Sequence, residues 1–378
     1  MNRRDIFVMY VCAALALALM YSPQPIMPVL ESEFGVTRTQ VGLFITAILA
    51  PLAVASIAYG YVLEKVSIRK LLAAAFLLLG LSEIAFGLSN SYFWALNIRG
   101  FQGLLLPAVL TGITSYISQT SPKEEVAAAI GRYVGVTVLG GFFGRFFCGL
   151  FTDYFGWNFF IVLLGACFMA MSGAIFKFSS DVTASFAKPR PADIARVFRV
   201  PHNFHVYIMI FGAFFSFQAV LNFIPFEISN LNKEGEFSGI KTSMMYLGFG
   251  LGVLISFNLK KIVAFCGDAR AAMIAGMVIF TLALQTLRIE SFWVIFGAMI
   301  VLCVGNFIAH STANGFINKM AIEHKGIANG LYVSFYYAGG TLGSFAPGVI
   351  YSHFGWGAFL SGITAVCALS LFMLWRLR

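Results

Sequence analysis

The chain has 378 residues, of which 59% are hydrophobic and 11% are charged, and its formal net charge is +9 at pH 7. A soluble domain of this size would carry about 25% charged residues and present a polar exterior to water. The composition excludes a soluble globular protein and predicts an integral membrane protein.

Twelve stretches along the chain are long and apolar enough to cross a bilayer as α-helices, which takes about 20 residues. The runs are continuously apolar, whereas strands of a membrane β-barrel would alternate polar and apolar residues. The first stretch is too long for a cleaved signal peptide and runs into three prolines, so it is interpreted as the first span. The predicted spans are 7–30, 40–63, 71–89, 92–118, 127–152, 157–176, 204–228, 241–258, 271–288, 291–318, 327–350 and 356–375.

Basic residues lie mostly at one side of these spans. If the N terminus is cytoplasmic, most of the 25 Lys and Arg residues fall at cytoplasmic ends. Positive charge retained inside sets the orientation of a membrane protein. We therefore expect a multi-pass protein of the cell inner membrane with both termini in the cytoplasm. The net charge then reports topology, and no nucleic-acid partner is expected.

One segment occurs twice in the chain. Residues 140–160 read GGFFGRFFCGLFTDYFGWNFF and residues 339–359 read GGTLGSFAPGVIYSHFGWGAF, with nine identities in 21 positions. Such duplication indicates two related halves, and we expect the repeated glycines to provide close helix contacts between the halves. A polar segment, KFSSDVTASFAKPRPADIARVFRVPHN, lies midway and predicts a linker that ends in a short basic amphipathic helix.

The arrangement of spans and linker resembles the major facilitator superfamily, and several short sequence motifs resemble those of its twelve-helix drug:proton antiporter branch. The residues that carry this resemblance are Tyr21-Ser-Pro-Gln-Pro25, Arg99-Gly-Phe-Gln102-Gly103, Gly140-Gly-Phe-Phe-Gly144-Arg145 and Ala309-His310-Ser311. A Gly-Pro pair that the drug antiporters have in the fifth span is absent here. The resemblance implies an all-α fold of two pseudo-symmetric six-helix bundles, with bundles at 1–178 and 204–378 and a cytoplasmic linker at 179–203.

The loop after the second span also resembles the family. Glu64, Lys65 and Arg69 match an acid and two bases of its pattern, while Ser67 stands at a glycine position and Ile68 at a base. An acid–base cluster at helix ends provides a cytoplasmic gate through charge pairs and helix dipoles. A solvated turn that follows the positive-inside rule is the alternative.

Three charged residues lie well inside predicted spans, where charge is costly and indicates function. Glu83 and Arg99 lie on consecutive antiparallel spans, roughly 10–14 Å from the turn that joins them at a rise of ~1.5 Å per residue. They are expected to form a pair that is either a static salt bridge or a site of proton coupling. Arg145 is replaced by Ser344 in the second repeat, which suggests anion attraction or a gate; a pair with Asp153 or a position at the surface is the alternative.

Polar residues follow helical spacing in the four spans that the resemblance places around a central cavity, and His310 is added to Arg99 and Glu83 as a candidate for proton coupling. The alternative for His310 is an interhelical hydrogen bond. The predicted substrate-binding residues are Tyr21, Gln24, Arg99, Gln102, Arg145, Gln218, Asn222, Asn306, His310 and Asn314.

The sequence favours a secondary active transporter that exports a small organic solute by alternating access with proton coupling. Uptake of a small anionic or zwitterionic metabolite is the alternative, and an intramembrane enzyme is a third hypothesis that the adjacent, divergent His310 and Ser311 do not support. A P-loop and a ring of like side chains are absent, so an ATP-driven pump and a channel are not favoured. The six cysteines indicate no metal or disulfide. The expected partners are a small-molecule substrate, protons or another coupling ion, and membrane lipid; no cofactor is expected, and the protein is expected to act as a monomer.

Overall fold

The computed structural model describes residues 3–122, 124–178, 191–231, 237–320 and 324–377, without the side chains of residues 3, 55–65, 127, 191 and 325. Across these residues the chain forms sixteen α-helices and one 3₁₀ turn at Gln24–Ile26. The helices of the first part are α1 (Arg3–Tyr21), α2 (Met27–Phe34), α3 (Arg38–Lys65), α4 (Ile68–Gly87), α5 (Tyr92–Thr120), α6 (Val126–Phe155) and α7 (Trp157–Phe176). Those that follow are α8 (Pro191–Arg199), α9 (Pro201–Leu231), α10 (Gly239–Met244), α11 (Phe249–Phe257), α12 (Leu259–Cys266), α13 (Ala269–Thr286), α14 (Phe292–Met320), α15 (Lys325–Gly343) and α16 (Ala346–Arg376).

Ten helical stretches in the described ranges are long and apolar enough to cross a membrane. One of them, Gly326–Arg376, contains the predicted eleventh and twelfth spans, and the shorter apolar segment Arg38–Val54 lies in the predicted second span. Each of the twelve predicted spans is therefore helical, and the described residues contain no strand. The predicted all-α fold with twelve transmembrane helices is confirmed.

The repeated Phe-Gly-Trp sequence makes the same turn in both copies. Gly156 has φ +83° and Gly355 has φ +78°, a backbone region that favours glycine because it has no Cβ. In the first copy the turn separates α6 from α7, as predicted. In the second copy the non-helical backbone of Gly355 divides α16 into two helices at the equivalent position, so the predicted boundary is present there too.

The first glycines of the repeat provide close helix contacts within their own half, so the expectation that they join the halves is wrong for them, whereas Gly149 and Gly348 later in the repeat do approach the other half. A Cβ at Gly140 or Gly144 would meet backbone atoms of α1, and one at Gly339 or Gly343 would meet backbone atoms of α9. The residues approached in this way are Ala14, Ala18, Phe211 and Phe215. The two halves therefore use the same small-residue contact, α6 on α1 and α15 on α9, which is the structural form of the sequence repeat.

Three predicted spans lose α-helical geometry part-way across the bundle. The first is divided at Tyr21, where Pro23 and Pro25 lack the N–H that a continuous helix needs. The eighth span changes from α-helical to 3₁₀-type hydrogen bonding between α10 and α11. There the backbone N–H groups of Tyr246 and Phe249 each donate to the carbonyl three residues earlier. The eleventh is interrupted at Ser344, between α15 and α16.

The halves touch at one end of the bundle and diverge toward the other. The backbones of Gly149 in α6 and Gly239 at the start of α10 are so close that a Cβ on either would overlap the other. Gly131 lies on the same face of α6, because 18 residues complete five helical turns, yet no atom lies within 4 Å of a Cβ placed there. The repeat-related pair behaves alike, since a Cβ on Gly348 would meet Thr39 of α3 at 3.2 Å and one on Gly330 would meet nothing. We call the contacting end, where α1 ends and α3 begins, the sealed end.

Two short amphipathic helices lie outside the spans. The predicted helix after the polar segment is confirmed as α8, which buries Val197 and places Phe198 5.8 Å from the Phe335 ring of α15. Residues 179–190 of the predicted linker lie outside the described residues. The helix α12, which leaves Phe265 exposed, was not predicted because its apolar residues merge with the preceding span.

Candidate functional site

Arg145 is a buried cation on α6, 2% exposed, at the boundary between the two halves. Its Nε donates a hydrogen bond to Gln24 Oε1 at 2.5 Å, and its Nη1 donates one to the carbonyl of Gly141 at 2.7 Å. Three aromatic rings surround its Cζ, with centroids at 4.0, 4.6 and 5.6 Å: Tyr21, Phe249 and Tyr246. Tyr21 comes from the first half, while Tyr246 and Phe249 come from the second, so the guanidinium lies between the halves.

Gln24 connects this cation to the second half. Its Nε2 donates to Asn222 Oδ1 at 2.5 Å, and Gln218 Nε2 donates to the same oxygen at 3.1 Å. Asn222 Nδ2 in turn donates to the carbonyl of Ser344 at 2.9 Å. We call Tyr21, Gln24, Arg145, Asn222, Tyr246 and Phe249 the Arg145 cluster. It contains residues of two of the three interrupted spans and contacts the third at the Ser344 carbonyl, because interrupted helices expose backbone groups that a polar site uses.

The Arg145 cluster contains no acid. Among the described residues the buried carboxylates are Asp5 and Glu83, and neither contacts Arg145. The alternative that Arg145 pairs with Asp153 is wrong. The Asp153 carboxylate instead accepts the backbone N–H groups of Gly239 and Ile240, at 2.6 and 2.9 Å, and so joins α6 to α10 at the sealed end.

Glu83, Arg99 and Gln102 form a second buried cluster, which lies wholly inside the first half. Arg99 Nη1 is 3.8 Å from Glu83 Oε2 and donates to Gln102 Oε1 at 3.0 Å, while Gln102 Nε2 donates to Glu83 Oε2 at 2.7 Å. Arg99 also donates to the carbonyls of Leu19, Met20 and Phe44. We call these three residues the Glu83 cluster. The expected Glu83–Arg99 pair is present.

The expectation that Arg99 and Gln102 line the central path is not met. Both side chains are fully buried, and their partners belong to α1, α3, α4 and α5 of the same half. The spacing in α5 predicted an inward face correctly, but that face points into its own bundle. The Glu83 cluster still approaches the candidate site through α1, because Arg99 holds the carbonyl of Met20 beside Tyr21.

His310 belongs to an aromatic group next to the Arg145 cluster. Its Nδ1 is 2.9 Å from the hydroxyl of Tyr332, and its ring centroid is 4.8 Å from that of Tyr336. Tyr336 stacks on Phe214 at 3.7 Å, and Phe307, one turn before His310, has its ring centroid 5.7 Å from that of Phe249. The hydrogen bond that was the alternative for His310 is therefore present, and it does not exclude a role in transport.

The two other polar residues predicted on α14 occupy different surroundings. Asn306 is buried, one turn from His310. Asn314 lies one turn beyond His310, further from the sealed end, and accepts a hydrogen bond from Asn318 Nδ2 at 2.8 Å. It does not contact the Arg145 cluster. Gln218 is brought there, and its Oε1 is buried without a hydrogen-bond partner.

The predicted gate is described only in part. Arg69 Nη1 donates to the carbonyl of Phe178 at 3.0 Å, which ties the start of α4 to the end of the sixth span. Ser67, at the position of a family glycine, caps α4 by accepting the N–H of Lys70. The side chains of Glu64 and Lys65 lie outside the described part of the chain, so the gate stays a prediction.

Sequence analysis missed the aromatic residues of the second half: Phe214, Tyr246, Phe249, Tyr332, Tyr336 and Tyr337. In a chain with 41 Phe and 14 Tyr, single aromatic residues in apolar spans carry little signal. Tyr332 and Tyr336 are four residues apart and share one face of a helix, Tyr337 follows them, and the repeated glycines begin at Gly339; this tyrosine spacing was the available signal.

Comparison with known proteins decides the family. A family model described as Major Facilitator Superfamily matches residues 7–264, which is more than half of the chain. The chain belongs to the Major Facilitator Superfamily. The predicted family is confirmed, and the protein is a multi-pass membrane transporter rather than an enzyme.

Relatives within the superfamily are transporters. The chain is 27% identical over 360 residues to the inner membrane transport protein YnfM of Escherichia coli, covering 94% of this chain and 84% of that protein. It is 26% identical over 350 residues to an uncharacterized transporter of Buchnera aphidicola, covering 87% and 81%. A shorter match, 24% identical over 139 residues and 37% of this chain, is to 36% of the quinolone resistance protein NorA of Staphylococcus aureus.

Solved superfamily structures share the fold. A bacterial homologue of the human lysosomal transporter Spinster, in an inward-facing and unoccupied conformation, aligns with TM-score 0.76 and 14% identity over 100% of this chain and 96% of that one. The nucleoside transporter NupG aligns with TM-score 0.79 and 12% identity over 99% and 98%. At these identities the likeness establishes the fold: twelve helices in two related six-helix bundles.

Proposed function

We propose that this transporter exports a small organic solute across the bacterial inner membrane by alternating access, in exchange for protons. The moving bodies are the halves 1–178 and 204–378, joined by the cytoplasmic linker 179–203, and both termini are cytoplasmic. Under this topology the sealed end faces the periplasm and the diverging end faces the cytoplasm. The solute then enters from the cytoplasm and binds at the Arg145 cluster.

The observation that carries this proposal is the position of the Arg145 cluster where the halves begin to separate. Between the cluster and the sealed end, the halves are held by hydrogen bonds and close backbone contacts, including Ser243 Oγ to the Phe146 carbonyl at 3.0 Å and the Thr39 and Ser352 hydroxyls 3.5 Å apart. On the side of the cluster away from the sealed end, a Cβ placed on Gly131 or on the repeat-related Gly330 would have no atom within 4 Å. A polar site reached from one face and closed from the other is what a carrier requires.

The Glu83 cluster and His310 are the proposed proton sites. Protonation of Glu83 would remove the charge that attracts Arg99 and weaken its hold on the end of α1, next to Tyr21 and Gln24. His310 would act from the other half through Tyr332 and Tyr336. An ionisable group buried in a span is a candidate for proton transfer because its charge is costly there.

A cross-link at the sealed end tests alternation. Thr39 and Ser352 lie on different halves with their hydroxyls 3.5 Å apart, so we expect the double variant Thr39→Cys/Ser352→Cys to form a disulfide on oxidation. The matched control is Ser256→Cys/Ser311→Cys, whose hydroxyls are 3.2 Å apart within the second half. Oxidation should stop transport in the first variant, with recovery on reduction, and leave the control active.

Transport is measured in energised everted vesicles with acridine orange, which reports the pH gradient. The solutes are benzoate, an amino acid mixture, adenosine and tetraphenylphosphonium. For an exporter, at least one of them should release protons from the vesicles, and vesicles without the protein should show no release. Release only from vesicles preloaded with solute would indicate the uptake alternative, and flux indifferent to the gradient would remove the proton from the mechanism. Unchanged flux in the oxidised Thr39→Cys/Ser352→Cys variant would contradict alternation at this interface.

A further inference from the structure

We propose that the Arg145 cluster binds small aromatic monocarboxylates, so that the transported solute is an aromatic organic anion. This proposal rests on the proposed function and names the class of solute that the same site takes. It is argued from the charge of the site, the shape of its lining and the hydrogen bond that a carboxylate would replace.

The charge of the site is unbalanced. Arg145 is 2% exposed, and the described residues place no carboxylate in contact with it. Its partners are an amide oxygen, a backbone carbonyl and aromatic faces, which are all neutral. Because a buried charge without a counter-ion is unfavourable, the site attracts an anion and repels a cation. A planar carboxylate fits the planar donor fork of arginine.

The shape of the lining selects a flat apolar body. Tyr21 and Phe249 approach the guanidinium from opposite halves, at 4.0 and 4.6 Å. In the same half as Phe249, Tyr336 stacks on Phe214 and faces His310, and Phe307, one turn before His310, packs 5.7 Å from the Phe249 ring. Aromatic rings pack favourably against other rings in offset or edge-on arrangements, so an aromatic ring attached to the carboxylate would extend into this part of the site.

The bound anion would also loosen the contact between the halves. Gln24 Oε1 accepts from Arg145 Nε, and the Nε2 of the same amide donates to Asn222. A carboxylate that accepts from Arg145 competes with Gln24 Oε1 for this donor. The Gln24 amide is then no longer held in the orientation that bridges to Asn222. Occupation of the site therefore favours separation at the sealed end, as an alternating carrier requires.

Binding to the purified full-length protein in detergent tests the proposal by isothermal titration calorimetry. The probes are benzoate, its neutral isostere benzamide, the non-aromatic cyclohexanecarboxylate and the cationic benzylamine. We expect benzoate to bind at least tenfold more tightly than benzamide and severalfold more tightly than cyclohexanecarboxylate, with no measurable binding of benzylamine.

Variants assign the preference to one residue. Arg145→Gln should reduce the preference for benzoate over benzamide to within twofold, whereas Arg145→Lys should keep the preference and weaken binding at least fivefold. The matched control is Arg288→Gln, because Arg288 also donates from Nε to a glutamine but lies at an exposed position. Tryptophan fluorescence in thermal unfolding shows whether each variant is folded.

The outcomes separate this proposal from the proposed function. Absence of benzoate binding, equal binding of benzoate and benzamide, or a preference that survives Arg145→Gln would overturn the aromatic carboxylate. Tight binding of benzylamine would do the same. Proton exchange with another solute and a blocking cross-link between Thr39→Cys and Ser352→Cys would then still support the carrier, because neither depends on benzoate.

Discussion

Two arginines, Arg99 and Arg145, are buried in the same half of the molecule, but their surroundings differ. Arg99 lies near a carboxylate, donates to one amide and three backbone carbonyls, and all of these partners belong to its own half. Arg145 has one amide, one carbonyl and three rings, and two of the rings come from the other half. The first arginine has a carboxylate partner, and the second lies at the boundary between the halves without an anion beside it.

This difference teaches that burial of a charge does not by itself assign a role. A saturated cation supports the bundle, because removing it would leave a buried carboxylate and several carbonyls without partners. A cation surrounded by neutral groups contributes less to stability and remains available to a ligand. Partner sets, rather than burial, therefore distinguish a structural group from a binding group.

The largest expected effect is on the stability of the Glu83 cluster. Arg99→Ala and Glu83→Ala should each lower the free energy of unfolding by about 3–5 kcal/mol, because each leaves its buried charged partner unpaired. Arg145→Gln should change it by less than about 2 kcal/mol, since removing a buried charge offsets the loss of cation–π attraction. Thermal unfolding in one detergent, followed by tryptophan fluorescence, measures all three. A decrease for Arg145→Gln as large as that for Arg99→Ala would make both arginines structural.

The fold was predictable because its signals repeat. Twelve apolar runs and a duplicated glycine motif determine the spans and the two halves, and the same Phe-Gly-Trp turn recurs at Gly156 and Gly355. The role of the glycines was predicted correctly for Gly149 and Gly348, which approach the other half, and wrongly for the first glycines of the motif. A small residue indicates a close helix contact without saying which helix is the neighbour, and here the neighbours of Gly140 and Gly339 lie in the same half.

The site was predictable only in part, for the same reason. Helical spacing identified Tyr21, Gln24 and Asn222 as polar positions; Gln24 bonds to Asn222, and Arg145 contacts both Gln24 and Tyr21. It also selected Arg99, whose helix face is turned toward its own bundle. The aromatic part of the site depends on which apolar face meets the other half, and a pattern of hydrophobic residues does not distinguish that face from one that meets lipid.

An intermediate effect is expected where α6 crosses α1 beside Arg145. A methyl group at Gly144 would overlap the backbone of Ala18, so Gly144→Ala should cost about 1–3 kcal/mol through overpacking and weaken benzoate binding by displacing the neighbouring Arg145. Gly135→Ala on the same helix is the matched control, because a Cβ there meets nothing within 4 Å. Unfolding temperature and calorimetric affinity are the measurements. Equal effects of the two substitutions would show that the close approach to α1 does not position the arginine.

The smallest expected effect comes from a substitution that gives Arg145 a carboxylate neighbour like that of Arg99. Gln24→Glu places a carboxylate oxygen beside Arg145 Nε, where the amide oxygen now lies at 2.5 Å, and so supplies the anion that Arg99 already has. We expect benzoate affinity to fall at least tenfold, about 1.4 kcal/mol, while the unfolding temperature stays equal or rises, because the new pair neutralises a buried charge. Gln285→Glu is the matched control, since Gln285 Oε1 accepts from Arg288 Nε at 3.1 Å outside the Arg145 cluster. If Gln24→Glu binds benzoate as the unsubstituted protein does, Arg145 does not lack an anion, and the contrast between the two arginines does not determine where the solute binds.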